Sequence, residues 1–281
     1  MGRYFSTSKT VVSELPIVIE PAALAAQLGN ARLMVVDLCK PEQYATGHVP
    51  GAIHLDFATI VATQGMTKGM LPEAAVLSAV LAGIGFTPDH HVVAYDNEGC
   101  GRASRLLWTL AAIGHDKYSL LDGGLNAWIA ERHPLSSRIT PAAASNYAVT
   151  ARRDTVIASS EYLQTRLGEP TTCILDCRSA QEYSGEKRLA ERGGHIPGAV
   201  NFDWVQTVDA QRESRLKPDA ELDAAFRALG VTRDKEIIVY CQTHHRSAHT
   251  WVVLKKLGYP QVRGYAGSWS EWGNRPDLPV E

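Results

Sequence analysis

The sequence predicts an α/β protein made of two similar domains, each with a mostly parallel sheet flanked by helices. A length of 281 residues suits about two domains. Short apolar runs alternate with helical stripes, which is typical of parallel sheets covered on both faces. A five-residue segment, His-Val-Pro-Gly-Ala at residues 48–52, returns as His-Ile-Pro-Gly-Ala at residues 195–199. An internal repeat of this kind indicates a duplicated domain.

The elements of the two halves correspond in order. Apolar runs ending at Asp37 and Asp176 predict one pair of strands, and runs at residues 92–95 and 237–240 predict another. Each half also carries a helical stripe that ends before a glycine. The first stripe is Val76, Leu77, Val80, Leu81 and Ile84, and the second is Leu222, Ala225, Phe226 and Leu229.

The domain borders follow from composition. We expect a flexible N-terminal extension at residues 1–15, a first domain at 16–138, a linker at 139–156 and a second domain at 157–281. The linker is rich in Ala, Ser, Thr and Pro. The first six residues, Met-Gly-Arg-Tyr-Phe-Ser, also match the loose pattern for N-myristoylation, so lipidation or targeting is the alternative for the extension.

Composition excludes several classes of function. A net charge of −2 argues against a general nucleic-acid binder. No apolar stretch approaches the roughly 18 residues that a membrane-spanning helix needs. The five cysteines are an odd and sparse set, which indicates reduced thiols in a cytoplasmic protein.

Cys241 stands where chemistry is expected. It follows the predicted strand at residues 236–240, opens the loop Cys-Gln-Thr-His-His-Arg at 241–246, and precedes a predicted helix at 247–257. Backbone N–H groups in such a loop converge on one point and add to the positive end of the helix dipole. These features lower the pKa of a cysteine and stabilise an anion attached to its sulfur.

The corresponding loop of the first half lacks this nucleophile. Aligning Tyr95 with Tyr240 places Asp96 opposite Cys241, in a loop at residues 96–102 that is one residue longer. Asp96 and Glu98 would repel a bound anion, and neither is a sulfur nucleophile. The first half is therefore predicted to be catalytically silent.

These residues resemble the tandem-domain rhodanese family of sulfurtransferases over nearly the whole chain. The resemblance rests on the two His-(Val/Ile)-Pro-Gly-Ala segments, the single loop cysteine and Gly-Ser-Trp at residues 267–269. The loop is most similar to that of bacterial members acting on thiosulfate. The resemblance implies a Cys241 persulfide, formed from thiosulfate and discharged by cyanide or a thiol, without cofactor or metal. We expect a monomer, because the two halves supply each other's interface.

The resemblance also implies roles for the rest of the loop. Gln242 and Thr243 are expected to contribute backbone N–H groups. His244 and His245 would either add partial positive charge near the donor or lie exposed at the rim. Arg246 would either fix the loop, by pairing with acids or carbonyls, or bind the anionic donor.

Arg178 is a second candidate for binding the donor, with an ion pair to a carboxylate as the alternative. Some family members carry a substrate-binding arginine just before the tyrosine that matches Tyr183, whereas this chain has Glu182 there. His48 and His195 occur in both halves, including the silent one, so we interpret them as structural. The same reasoning assigns Trp128 and Trp272 to packing.

Four other functions remain open at this level. 3-Mercaptopyruvate is the alternative donor, although its enzymes have loops that usually begin Cys-Gly. Phosphatases of related fold place five residues between cysteine and arginine, and this loop has four. A metal site at Cys241, His244 and His245 would lack a full tetrahedral set. A non-catalytic binding module is the last alternative.

Overall fold

The computed structural model describes residues 15–281, and the extension expected at residues 1–15, with its lipidation alternative, lies almost entirely outside them. The first half contains seven strands: β1 (Val18–Ile19), β2 (Leu33–Asp37), β3 (Ile53–His54), β4 (Ala62–Gln64), β5 (Thr67–Met70), β6 (His91–Tyr95) and β7 (Tyr118–Leu121). Its helices are α1 (Pro21–Ala25), α2 (Pro41–Thr46), α3 (Ala74–Gly83), α4 (Gly101–Ala112) and α5 (Gly124–Ala130).

The second half follows the same plan. Its strands are β8 (Ile157–Ala158), β9 (Thr172–Asp176), β10 (Val200–Asn201), β11 (Val208–Asp209), β12 (Arg215–Leu216), β13 (Glu236–Tyr240) and β14 (Val262–Tyr265). Its helices are α6 (Ser160–Gln164), α7 (Ala180–Tyr183), α8 (Asp219–Ala228), α9 (Arg246–Lys256) and α10 (Ser268–Trp272). No helix among residues 15–281 is long and apolar enough to cross a membrane.

The two main sheets have the same strand order, which confirms the predicted duplication. The first runs β1-β7-β6-β2-β3 and the second runs β8-β14-β13-β9-β10, with every neighbouring pair parallel. The registers also agree, because Asp37 pairs with Tyr95 and Asp176 pairs with Tyr240. The loops after Tyr95 and Tyr240 therefore start at equivalent points, at the carboxyl end of a central strand.

The two repeated histidine segments have a structural role, as expected. The imidazole of His48 stacks on Tyr44 with 3.9 Å between ring centroids, and its Nδ1 lies 2.7 Å from the Tyr44 carbonyl oxygen. His195 stacks on Tyr183 at 3.7 Å, with its Nδ1 3.0 Å from the Tyr183 carbonyl oxygen. Each histidine thus joins the segment to the preceding helix, away from the cysteine loop.

The two tryptophans assigned to packing are fully buried. The indole of Trp128 donates to the Pro134 carbonyl at 2.8 Å, and that of Trp272 donates to the Pro279 carbonyl at 2.7 Å. These matching bonds satisfy the one polar atom of each buried indole. The packing role of both residues is confirmed.

Residues 139–156 form neither helix nor strand in the structure. They run along the first half, where Val149 donates its N–H to the Ser78 hydroxyl and Arg152 donates to the Pro72 carbonyl at 2.6 Å. These bonds attach the predicted linker to the first half at two points.

The interface between the halves brings helix α4 and the β4–β5 hairpin of the first half onto the second. Helix α4 packs against α9, the helix that follows Cys241. The β4–β5 hairpin packs against α10, where the Ser270 hydroxyl accepts from the Lys68 N–H at 3.0 Å and donates to the Lys68 carbonyl at 2.8 Å. The cysteine loop is therefore enclosed by both halves.

Gly69 in this hairpin allows a close approach to the cysteine loop. Its φ is +84°, and a Cβ there would collide with the Thr243 carbonyl. Gly65 in the same hairpin also has a positive φ, +59°, but a Cβ there would meet no atom within 4 Å. We predict that Gly65→Ala costs about 1–2 kcal/mol of unfolding free energy from left-handed strain alone.

Gly69→Ala should cost about 1–3 kcal/mol more through overpacking, and it should also slow alkylation of Cys241 by displacing the loop. Urea unfolding and the rate of iodoacetamide labelling of Cys241 measure the two effects. Equal labelling rates in the two variants would show that the hairpin does not support the loop.

Candidate active site

Cys241 lies at the end of β13 and opens the loop that leads into α9, as predicted. Its side chain is only 1% exposed. All five cysteines are free and buried, so burial alone does not distinguish this one. Its distinction comes from the polar groups around the sulfur.

Two loop carbonyls are held by α10 of the second half. The carbonyl of Cys241 accepts from the Trp269 N–H at 2.9 Å, and that of Gln242 accepts from the Ser270 N–H at 3.0 Å. These donors come from the first turn of the helix, where backbone N–H groups lack partners within the helix. The bonds fix the first two peptide groups of the loop.

The next two carbonyls are held by the first half. The guanidinium of Arg105, on α4, donates to the carbonyls of Thr243 and His244 at 3.5 Å each, and to the Met70 carbonyl at 3.2 Å. The first half therefore contributes directly to the shape of the Cys241 loop.

The surroundings of Cys241 favour its ionised form. Burial by itself raises the pKa of this thiol, but the Arg246 charge, the Ser247 hydroxyl and the N–H groups of Ser247 and Thr243 outweigh it, so the pKa is lowered. By contrast, burial raises the pKa of each of the other four thiols, at Cys39, Cys100, Cys173 and Cys177. Because the thiolate is the nucleophilic form of cysteine, this environment distinguishes Cys241 from the other four thiols.

Arg246 fixes the loop, which was one of its two expected roles. It forms a two-pronged ion pair with Glu182, with Nη1–Oε2 at 2.7 Å and Nη2–Oε1 at 2.8 Å. Although burial would raise it, the pKa of Glu182 is lowered to about 2 by this guanidinium. Glu182 also forms a capping box with Ser179 at the start of α7. The sequence drew attention to Glu182 but did not reveal its partner.

The prediction that Arg178 binds the donor is wrong. Its side chain is 1% exposed and donates from Nη2 to Asp176 at 2.6 Å and to the Gly194 carbonyl at 2.8 Å. The guanidinium also lies over the ring of Trp269, 4.4 Å from its centroid. The ion-pair alternative is confirmed, since the buried Nε and Nη2 groups both bind Asp176.

The expectations for His244 and His245 were partial positive charge near the donor or an exposed position at the rim, and their lowered pKa values argue against the first. Burial, reinforced by the charge of Arg105, lowers the pKa of His244 well below its usual value and that of His245 to about 3. Both imidazoles are therefore neutral at pH 7.

The two histidines pack against the first half. His244 is fully buried, with Nδ1 2.7 Å from the Ser247 hydroxyl and its ring 4.3 Å from that of Trp108. His245 is partly buried and meets the Phe57 ring edge-on at 4.4 Å. Neither forms an exposed rim, and both tie the loop to the opposite domain.

Gln242 and Thr243 precede the two histidines in the loop. The Gln242 amide donates to the Leu189 carbonyl at 3.1 Å, which joins the loop to the segment before His195. The N–H of Thr243 is one of the groups that lower the pKa of Cys241. Among residues 15–281, no group of three His, Cys, Asp or Glu side chains is arranged to hold a metal ion.

The silent loop is filled by its own carboxyl group. One oxygen of Asp96 accepts from the N–H groups of Glu98 and Cys100 at 2.8 Å each. The other accepts from those of Arg102 at 2.9 Å and Ala103 at 3.0 Å. The first half thus keeps a ring of converging N–H groups, and Asp96 occupies the place where the second half presents a sulfur.

Arg105, Trp108 and Ser247 were missed by sequence reasoning. The signal for Arg105 was present, because it is a lone charge in the otherwise apolar part of α4, which runs Leu-Leu-Trp-Thr-Leu-Ala-Ala after it. A charge in such a stretch must find buried partners. Nothing in the local sequence indicates that those partners belong to the other domain.

Asp96→Asn should destabilise the first half. An amide offers one acceptor oxygen and places a donor where the second stood, so two buried N–H groups lose their partner at a cost of about 2–5 kcal/mol. Asp89→Asn, at an exposed position, is the control and should stay within about 0.5 kcal/mol of the parent protein. Urea unfolding followed by circular dichroism compares them, and equal stability of the two variants would refute this role of Asp96.

Comparison with known proteins agrees with this geometry. The family model described as the rhodanese-like domain matches the chain twice, over residues 20–131 and 159–275. Thiosulfate sulfurtransferase of Azotobacter vinelandii is 47% identical over 96% of this chain and 98% of its own length. The enzyme of the same name from Pseudomonas aeruginosa is 46% identical, over 97% and 99%.

More distant relatives are consistent with the same assignment. The 3-mercaptopyruvate sulfurtransferase of Escherichia coli K12 is 34% identical over 85% of each chain. The anaerobic ergothioneine biosynthesis enzyme of Chlorobium limicola has a TM-score of 0.83 at 20% identity, covering 94% of this chain and 70% of its own, a likeness of fold alone. The matching of both halves and the high identity over nearly the full length show that this chain belongs to the rhodanese family of sulfurtransferases, with two tandem rhodanese-like domains.

Proposed function

We propose that this protein transfers the outer sulfur of thiosulfate to cyanide or another thiophilic acceptor through a persulfide on Cys241. The observation that carries the proposal is the lowered pKa of Cys241, alone among the five thiols. The two relatives at 46–47% identity, both thiosulfate sulfurtransferases, support the choice of donor.

The first step is attack of the Cys241 thiolate on the outer sulfur of thiosulfate. A new S–S bond forms to Cys241, the S–S bond of the donor breaks, and sulfite leaves with the electron pair. The terminal sulfur of the persulfide carries the remaining negative charge. The N–H groups of Thr243 and Ser247, which favour the thiolate, are suited to stabilise this anion as well.

The second step returns the enzyme to its starting state. Cyanide attacks the terminal sulfur, the persulfide S–S bond breaks, and thiocyanate leaves while Cys241 regains its thiolate. A thiol acceptor would take the sulfur in the same way and become a persulfide itself. Splitting one transfer into two displacements predicts ping-pong kinetics, and neither step requires a cofactor.

The contacts of Arg178 and of the loop histidines change the expectation of how the donor is bound. Arg178 is committed to Asp176, and the loop histidines are neutral. We infer that the charge of thiosulfate is met by the loop N–H groups at the start of α9, with Arg246 adding its field while it holds Glu182. Arg246 thus serves both of its expected roles, but only the loop-fixing one involves direct contact.

The remaining expectations stand as part of this proposal. The domains extend over residues 16–138 and 157–281, with a linker at 139–156, and the chain acts as a cytoplasmic monomer without nucleic-acid partners. Support comes from the net charge of −2, the five free thiols and the interface that the two halves already share.

Incubation with thiosulfate should add one sulfur, about 32 Da, to the intact protein, because the Cys241 thiolate retains the outer sulfur. Cys241→Ser should gain nothing, whereas Cys177→Ser, a buried thiol with a raised pKa, should gain the sulfur as the parent does. Cyanide should then remove the added mass as thiocyanate. Intact-protein mass spectrometry follows all three steps.

The same experiment with 3-mercaptopyruvate tests the choice of donor. We expect faster persulfide formation with thiosulfate at equal concentration, because the site stabilises inorganic charge through N–H groups, while the guanidinium groups of Arg178 and Arg246 are paired with Asp176 and Glu182. Faster loading by mercaptopyruvate would reassign the donor within the family. No loading by either compound would contradict the persulfide mechanism and favour the binding-module alternative.

A further inference from the structure

Arg105 is an unusual residue for the core of a protein. Its side chain is fully buried at 0% exposure, in the interface between α4 and the cysteine loop. Its three hydrogen bonds all go to uncharged carbonyl oxygens, and its Nε has no partner among the described residues. Its guanidinium also lies 4.9 Å from the centroid of the Trp108 ring.

A buried guanidinium normally pairs with a carboxylate, because an uncompensated buried charge is costly. The other buried arginine, Arg178, follows this rule and pairs with Asp176 at 2.6 Å. Burial lowers the pKa of Arg105 to about 9, and the group that acts in the opposite direction is the sulfur of Cys241. The cation therefore persists at pH 7, and the ionised sulfur of Cys241 is the charge that favours it.

The contacts of Arg105 also orient the loop. A peptide group places its N–H and C=O on opposite sides, so a carbonyl held toward α4 turns the next N–H away from it. Arg105 holds the carbonyls of Thr243 and His244, which share their peptide groups with the N–H groups of His244 and His245. It thereby stabilises the loop conformation in which His244 keeps its left-handed φ of +58°.

We propose that Arg105, from the silent domain, is a positioning residue for sulfur transfer, which holds the Thr243 and His244 peptide groups of the Cys241 loop in place and supplies a buried counter-charge for the Cys241 thiolate and persulfide. This proposal deepens the function proposed above and rests on it. The silent half then has a chemical task, because the second half alone lacks this cation.

Three substitutions separate the two parts of the role. Arg105→Lys keeps the charge but loses the fork that reaches several carbonyls, whereas Arg105→Gln keeps hydrogen-bond donors and loses the charge. Arg105→Met removes both. Arg152→Gln is the control. Arg152, like Arg105, donates to a backbone carbonyl, but its bond to Pro72 joins the linker to the first half and does not involve the loop.

The measurement is the pH dependence of iodoacetamide labelling of Cys241 in the full-length protein, read by mass spectrometry after circular dichroism has verified folding. We expect the midpoint of Arg105→Gln to rise by about one unit, a tenfold loss of thiolate at a given pH below the midpoint. Arg105→Lys should remain closer to the parent, and Arg152→Gln should match it. If Arg105→Met does not fold, the Lys and Gln variants still decide the question.

Two results would overturn the proposal. If the Gln and Lys variants have the same midpoint as the parent, Arg105 has no influence on the ionisation of Cys241. Equal upward shifts in both variants would show that the charge of Arg105 does not affect the Cys241 pKa and that Arg105 acts only through packing. Because labelling does not involve thiosulfate, a parent protein that fails to accept sulfur but shows the expected shifts would refute the donor and leave the role of Arg105 intact.

Discussion

The active site depends on where the carbonyl groups of the Cys241 loop are held. Converging N–H groups can stabilise a sulfur anion only if the carbonyls of the same peptide groups are satisfied elsewhere. The first turn of α10 takes those of Cys241 and Gln242, and Arg105 takes those of Thr243 and His244. The loop is therefore shaped by partners on both sides, one from each domain.

Duplication explains both the likeness of the two halves and their difference. The same strand order and register bring a loop to the same edge of each sheet. In the first half the Asp96 carboxyl accepts four N–H groups and closes the loop upon itself. In the second half the residue at that place is Cys241, so the ring of donors is available to the sulfur and to whatever is attached to it.

The sequence was informative where structure is local. Strand β13, the turn at Cys241 and helix α9 follow from apolar periodicity, and the duplication follows from a repeated segment. The charge states of the site side chains and their hydrogen-bond partners were not predictable, because they depend on packing between distant residues. Glu182 and Arg246 are 64 positions apart, and Arg105 reaches a loop 139 positions away. Nothing in the sequence indicates that His244 and His245 are buried against the first half, where burial lowers the pKa of both imidazoles.

The central claim is that loop N–H groups hold the ionised sulfur of Cys241. Amide proton shifts of Thr243 and Ser247, recorded by two-dimensional NMR through a pH titration, test it most directly. The account predicts that both amides move downfield with one midpoint, below that of an ordinary thiol, and that Cys241→Ser abolishes this response. Amides that remain unchanged while the thiol ionises would contradict it.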